Sequence, residues 1–185
     1  MAIYLSIAFI QSMSREINEY KDMKVNIKTI QDFYDEFGEL EKILVGSNYE
    51  VDLGAKKFQF EGGDDFTVEN LKLIFDGELK NEITIEQVVW PKAENSINCM
   101  LSYSSYGDGI EVPGKMLSTV PEEKRKKRKL LFWNKVKTLI QIPPKKTYWY
   151  SPKFGGIFDN FAIWGFCAIL LNENEGLVVF GGAYY

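Results

Sequence analysis

Glu61, Asp64 and Asp65 stand on either side of Gly62-Gly63, the only compact acidic cluster on a glycine-rich turn in this sequence. Carboxylates grouped in this way can hold Mg²⁺ or Ca²⁺ through oxygen ligands. The spacing lacks the alternating ligands and the closing glutamate at the twelfth position of an EF-hand loop, and Asp65 is equally placed to help cap a helix beginning after Thr67. Gly107, Gly109 and Gly114 have neither the spacing nor the strand-to-helix junction of a phosphate-binding loop, and there is no Walker sequence and no Gly-x-Ser-x-Gly elbow. A carboxylate pair for glycoside hydrolysis has no positive support from any motif.

The chain contains no histidine. Ser-His-Asp and Cys-His catalysis, His-ligated zinc and the usual general base near neutral pH are therefore excluded. An enzyme built on this sequence would work with carboxylates, lysine, tyrosine or backbone groups. The two cysteines, Cys99 and Cys167, are far apart, and each lies within an apolar run. They read as two buried thiols in a reducing compartment and match no paired-cysteine metal motif. The sequence implies no cofactor.

Charge is the other candidate for function. The net charge is −4, but it is segregated. Lys115 to Lys153 hold 12 Lys+Arg against Glu122 and Glu123, a local +10, and the remainder holds 10 basic and 24 acidic residues, a local −14. The densest basic stretch is Lys124, Arg125, Lys126, Lys127, Arg128 and Lys129. It fits a solvated helix turn, a contact to phosphate of nucleic acid or anionic lipid, or a complement to acidic surface on this chain or a partner. Trp133 and Tyr148, with Trp149 and Tyr150, would add stacking against bases in the nucleic-acid case. On the acidic side, Asp32, Asp35, Glu36 and Glu39 are expected to share one face of a helix at i, i+3 and i+4 spacing, where they suit a basic protein partner and fast, salt-sensitive association.

The elements that would position these groups follow from periodicity. Asn160 to Leu171 and Leu177 to Tyr185 are apolar runs flanking Asn172, Glu173, Asn174, Glu175 and Gly176. This pattern predicts a β-hairpin in which Gly176 supplies a positive φ. Phe161, Ile163, Cys167, Ile169 and Leu171 alternate with Ala162, Trp164, Phe166, Ala168 and Leu170. Both faces are apolar, so the hairpin belongs at the centre of a sheet covered on both sides.

Upstream, Ile3 to Phe9 alternate as an opening strand, and Ser12 or Ser14 can cap a short helix carrying Ile17 and Tyr20. Thr29 is expected to open a helix whose stripe is Phe33, Phe37, Leu40 and Leu44, ending near Gly46. Lys57 to Glu61 predicts a strand, Thr67 a helix cap, and Ile83 to Val89 a strand stopped by Pro91. Ile97 to Tyr106 predicts another strand, paired through Asp108-Gly109 to Ile110 and Val112. Pro121, followed by Glu122 and Glu123, opens a helix to about Ile140; Tyr148 to Tyr150 are extended. Together these predict an α+β fold, a mainly antiparallel sheet with a central C-terminal hairpin and two to four helices packed on it. A chain of 185 residues can bury about 70% of its unfolded surface. Residues 1–185 therefore read as a single domain with a sub-boundary near 113–121.

Met1 to Ile10 is apolar but has no preceding basic residues and is about half the length of a membrane-spanning helix. The expectation is a cytoplasmic protein with no membrane partner.

The features NFAIWGFCAILLNENEGLVVFGG, the acidic balance, the many aromatics and the absence of a catalytic signature resemble the small cytoplasmic immunity proteins that bacteria pair with toxins. The resemblance covers the last quarter of the chain and assigns no residue roles. It implies a non-catalytic protein that binds a cognate toxin and inhibits it by occlusion. A nucleic-acid-binding module using residues 124–129 and a carboxylate- or metal-dependent hydrolase at Asp64 and Asp65 are the alternatives.

Overall fold

The computed structural model describes residues 26–44, 50–61, 66–76, 79, 83–102, 121–152 and 162–184. Strand β1 (Asn26–Phe33) leads through a 3-10 turn (Asp35–Phe37) into α1 (Gly38–Leu44). Then come β2 (Glu50–Glu61), α2 (Val68–Ile74), β3 (Ile83–Gln87) and α3 (Trp90–Met100). The chain ends with α4 (Glu122–Leu139), β4 (Lys146–Pro152), β5 (Ala162–Leu171) and β6 (Glu175–Tyr184). The six strands form one sheet in the order β1-β2-β6-β5-β4-β3, with antiparallel neighbours throughout. The fold is α+β, and the C-terminal hairpin occupies its centre.

The alternation along β5 divides two cores. Phe166, Ala168 and Leu170 face a layer made by α1, α3 and α4, where Phe37, Leu40, Ile97, Phe132, Val136 and Leu139 are buried. Cys167, Ile169 and Leu171 face the other layer, where α2 and its flanks bring Phe66, Leu71, Ile74 and Phe75. Burying both faces satisfies the apolar runs that a one-faced sheet would leave half in water. Helix α2 packs against β1 and against β3, the two edge strands, so the sheet curls around it. Thr67 caps α2 in a reciprocal pair with Asn70, each side chain serving the other's backbone N–H.

Four expectations are corrected. The stretch from Thr29 is not helical: Asn26–Phe33 is an edge strand paired along its length with β2. A register shift between Ile27 and Thr29 breaks its alternation, and residues 28–32 are exposed on both faces, so no period of two survives in the sequence. Ile97 does not open a strand. It lies in α3 with Ala93, and with Leu101, which caps the helix, it completes a buried i, i+4, i+8 stripe. Pro91 stands in the first turn of that helix, where its missing N–H is not needed. Cys99, at an alternate position to Ile97, is exposed rather than buried. Gly176 is inside β6, opposite Leu171 and Phe58, and its φ is not left-handed.

The expected strand Ile3 to Phe9, the caps at Ser12 and Ser14, Gly46, Gly62 to Asp65, the Asp108-Gly109 turn and Pro113-Gly114 lie outside the described residues. So does the second half of the expected 97–106 strand.

Candidate functional site

The acidic residues expected on one helix are divided among three elements. Asp32 is on β1, Asp35 and Glu36 are in the 3-10 turn, and Glu39 is in α1. Asp32 points across the sheet edge to Lys56 on β2, with Oδ1 2.7 Å from Nζ. The Lys56 ammonium also lies 5.6 Å from the centre of the Tyr34 ring and 5.5 Å from that of Phe75. Burial disfavours this ammonium, but the Asp32 hydrogen bond and the neighbouring Tyr34 outweigh it, and its pKa is raised. Asp32 is thus engaged within the chain.

Asp35, Glu36 and Glu39 are exposed and make no ion pair among the described residues. Tyr34, 42% exposed, stands at their start with its ring edge-on to Phe180. The turn and α1 are held in place by Phe37, Leu40 and Leu44, which are buried against Phe132 and the central sheet. A further anchor is Glu41. Strand β1 stops pairing at Phe33, opposite Ala55, and beyond it Glu41 Oε1 accepts the Leu53 N–H at 2.7 Å. Burial raises the Glu41 pKa, the Leu53 bond opposes this, and the charges of Asp52 and Asp35 add to the rise. Asp35, Glu41 and Asp52 therefore form one electrostatic neighbourhood at the corner where β1 ends and α1 begins.

The residues of the basic run differ in environment. Lys124, Lys126 and Lys127 are exposed, and Lys126 pairs with Glu122 one turn earlier at 2.8 Å. Arg125 and Lys129 are half-buried. Arg128 is only 4% exposed, and its Nη2 donates to the Ile43 carbonyl near the C-terminus of α1 at 2.9 Å. A cation there meets carbonyls with few intrahelical partners and the negative end of the helix dipole.

The aromatic half of the expected nucleic-acid surface is internal. Trp133 is 7% exposed, and its Nε1–H donates to Asn98 Oδ1 at 2.8 Å. Tyr148 is 5% exposed. The two rings belong to opposite cores, with the sheet between them. Both rings are thus buried, although Trp133 stands one helical turn after Lys129 on α4.

Sequence reading missed Tyr34 and Leu130. Tyr34 carried a signal, an aromatic immediately before the Asp35-Glu36 pair. Leu130, the first apolar residue after the basic run, is 61% exposed. Among the described residues no three His, Cys, Asp or Glu side chains converge as a metal site requires, and no helix is long and apolar enough to cross a membrane. Asp64 and Asp65 lie outside the described residues. No family model matches the sequence, and a search of the curated proteins finds no match.

Proposed function

We propose that this chain is a non-catalytic binding protein that presents Tyr34, Asp35, Glu36 and Glu39 to a basic protein surface, in the manner of an immunity protein that occludes a toxin. The observation that carries the reading is the state of the four expected acids. Asp32 is committed to Lys56, whereas Asp35, Glu36 and Glu39 are exposed on a turn and helix anchored by buried Phe37, Leu40 and Leu44. Fixed carboxylates beside a partly exposed tyrosine combine electrostatic steering with an aromatic anchor, two recurrent components of protein interfaces. A preformed surface of this kind binds without paying the ordering entropy of a flexible segment. For the nucleic-acid alternative, Lys124, Lys126 and Lys127 are exposed, Trp133, Tyr148 and Tyr150 are buried, and Trp149 is half-buried.

The test is co-purification of this chain with the product of the neighbouring gene, followed by titration calorimetry. The expected complex weakens with salt, and a triple reversal of Asp35→Lys, Glu36→Lys and Glu39→Lys weakens it at least about tenfold. Asp32→Asn leaves affinity within about threefold, since this carboxylate is already occupied. A neighbour that does not bind, or binding indifferent to the triple reversal, overturns the reading.

A further inference from the structure

We propose that two copies of this chain join edge to edge by antiparallel pairing of β1 with β1, Ile30 lying opposite Ile30 at the two-fold axis. Strand β1 is one edge of the sheet, and among the described residues no strand pairs with its outer side. It is 8 residues long, against 5 for β3 at the other edge. An edge strand leaves a row of backbone N–H and C=O groups unpaired, and a long one is a template for a further strand. From Thr29 to Phe33 the pairing of β1 with β2 is regular, so its outer side is regular as well. The side chains of residues 28–32 are exposed, among them Ile30, a large apolar residue in the middle of the edge.

The order of residues along β1 selects a second copy as the occupant. Hydrogen-bonded and non-hydrogen-bonded pairs alternate along an antiparallel ladder, so a two-fold axis normal to the sheet must pass through a pair of like-numbered residues. Centred on Ile30, the register sets Lys28 against Asp32, Thr29 against Gln31 and Ile27 against Phe33, each twice. Opposite charges, polar groups and apolar groups all meet their own complement. Moving the centre by one residue sets Ile30 against Lys28 or against Asp32. Moving it by two sets Lys28 or Asp32 against itself, a like-charge pair.

The ion pairs within each copy are kept. Lys28 holds Glu61 and Asp32 holds Lys56, both across the inner side of β1 on β2. On pairing, Lys28 stands between Glu61 and Asp32 of the second copy, and Asp32 stands between Lys56 and Lys28 of the second copy. The signs then alternate from β2 of one copy to β2 of the other. An unrelated extended peptide would satisfy the same backbone groups but has no reason to carry this order of side chains. The pairing uses none of Asp35, Glu36 and Glu39, so it does not rest on the toxin-binding reading.

Sedimentation velocity of the full chain, at concentrations up to about 1 mM, covers weak association. The wild type is expected to dimerise. Lys28→Glu sets two carboxylates against each other at both ends of the pairing, and Asp32→Lys sets two ammonium groups there. Each variant alone should raise the dissociation constant at least about tenfold. An equimolar mixture of the two should restore a dimer, because every charge on one variant then meets its opposite on the other. Circular dichroism of both should match the wild type, since both positions are exposed. Cysteine cross-linking reads the register. On a Cys99→Ser background, Ile30→Cys should give a disulfide-linked dimer, because directly opposed Cα atoms lie about 4.5–5.5 Å apart. Thr29→Cys should not, since its two copies stand about 8 Å apart, beyond disulfide reach. A wild type that stays monomeric, as it would if the edge were reserved for another protein's strand, overturns the proposal. So does a dimer indifferent to both charge variants, a mixture that stays monomeric, or cross-linking as efficient at 29 as at 30. Binding of the neighbouring gene product is measured separately, through Asp35, Glu36 and Glu39, and survives a failure here.

Discussion

Phe58 on β2 lies directly across from Gly176 on β6, and its ring occupies the space a side chain at 176 would need: a Cβ built there would come within 2.2 Å of Phe58 Cζ. The pattern recurs along the same strand pair. Gly54 faces Phe180, and Gly181 faces Leu53, each glycine leaving room for the larger partner. Such pairs let large side chains cover glycine backbone in a curled sheet. Gly176→Ala should therefore destabilise the protein by about 1–3 kcal/mol, the usual range for overpacking. In urea denaturation, adding Phe58→Leu should cost less on the Gly176→Ala background than alone. Strict additivity of the two would show that ring and glycine are not coupled.

Arg128 and Lys127 are adjacent in sequence and opposite in environment. Arg128 is buried with its Nη2 on the Ile43 carbonyl, and Lys127 is exposed. Arg128→Ala should destabilise by about 1.5–3 kcal/mol, the range for losing a hydrogen bond from a charged group, and Lys127→Ala should stay within about 0.5 kcal/mol of wild type. Thermal melts of the two variants make the comparison. Equal effects would mean that the run is a uniformly solvated helix turn after all.

The elements that could be read from sequence were those whose signals agreed. In β5, Phe166, Ala168 and Leu170 alternate with Cys167, Ile169 and Leu171, and nothing polar interrupts either set. Thr67 with Asn70, and Pro121 before Glu122 and Glu123, mark helix starts by hydrogen-bond chemistry that needs no tertiary context. Strand β1 failed for the opposite reason: its residues 28–32 are exposed on both faces and its register shifts after Ile27, so neither period showed. In α3 the positions Ile97, Cys99 and Leu101 fit a strand as well as Ala93, Ile97 and Leu101 fit a helix, and only packing decided. For the site, charge segregation was legible but the direction of each side chain was not. The spacing of Arg128, Phe132 and Val136 at successive steps of four did hold the clue that the apolar face of α4 continues into the basic run.

Cys99 and Cys167 should differ sharply in reactivity. Cys99 lies on the outer side of α3, and Cys167 is fully buried between β4 and β6, with burial pushing its thiol pKa up. A thiol reagent added to the native protein should modify one thiol promptly, and Cys99→Ser should abolish that fast phase. The second thiol should react only in denaturant. Two fast thiols in the native protein would contradict the central placement of β5.

Glu41 provides a pH signature for the corner where the carboxylates gather. Its raised pKa means that the folded state holds the Glu41 proton more tightly than the unfolded chain does. Above the folded-state pKa the buried charge counts against folding, and the penalty disappears as pH falls through that value toward the unfolded one. Glu41→Gln removes the charge but keeps an oxygen able to accept the Leu53 N–H. The variant should thus equal or exceed wild-type stability at neutral pH, and wild type should gain on it steadily as the solution is acidified. Paired melting temperatures across pH 4 to 7, a window covering ordinary and raised carboxylate values, measure the difference. A gap between the two proteins that stays constant or widens on acidification would place Glu41 in water rather than against the end of β1.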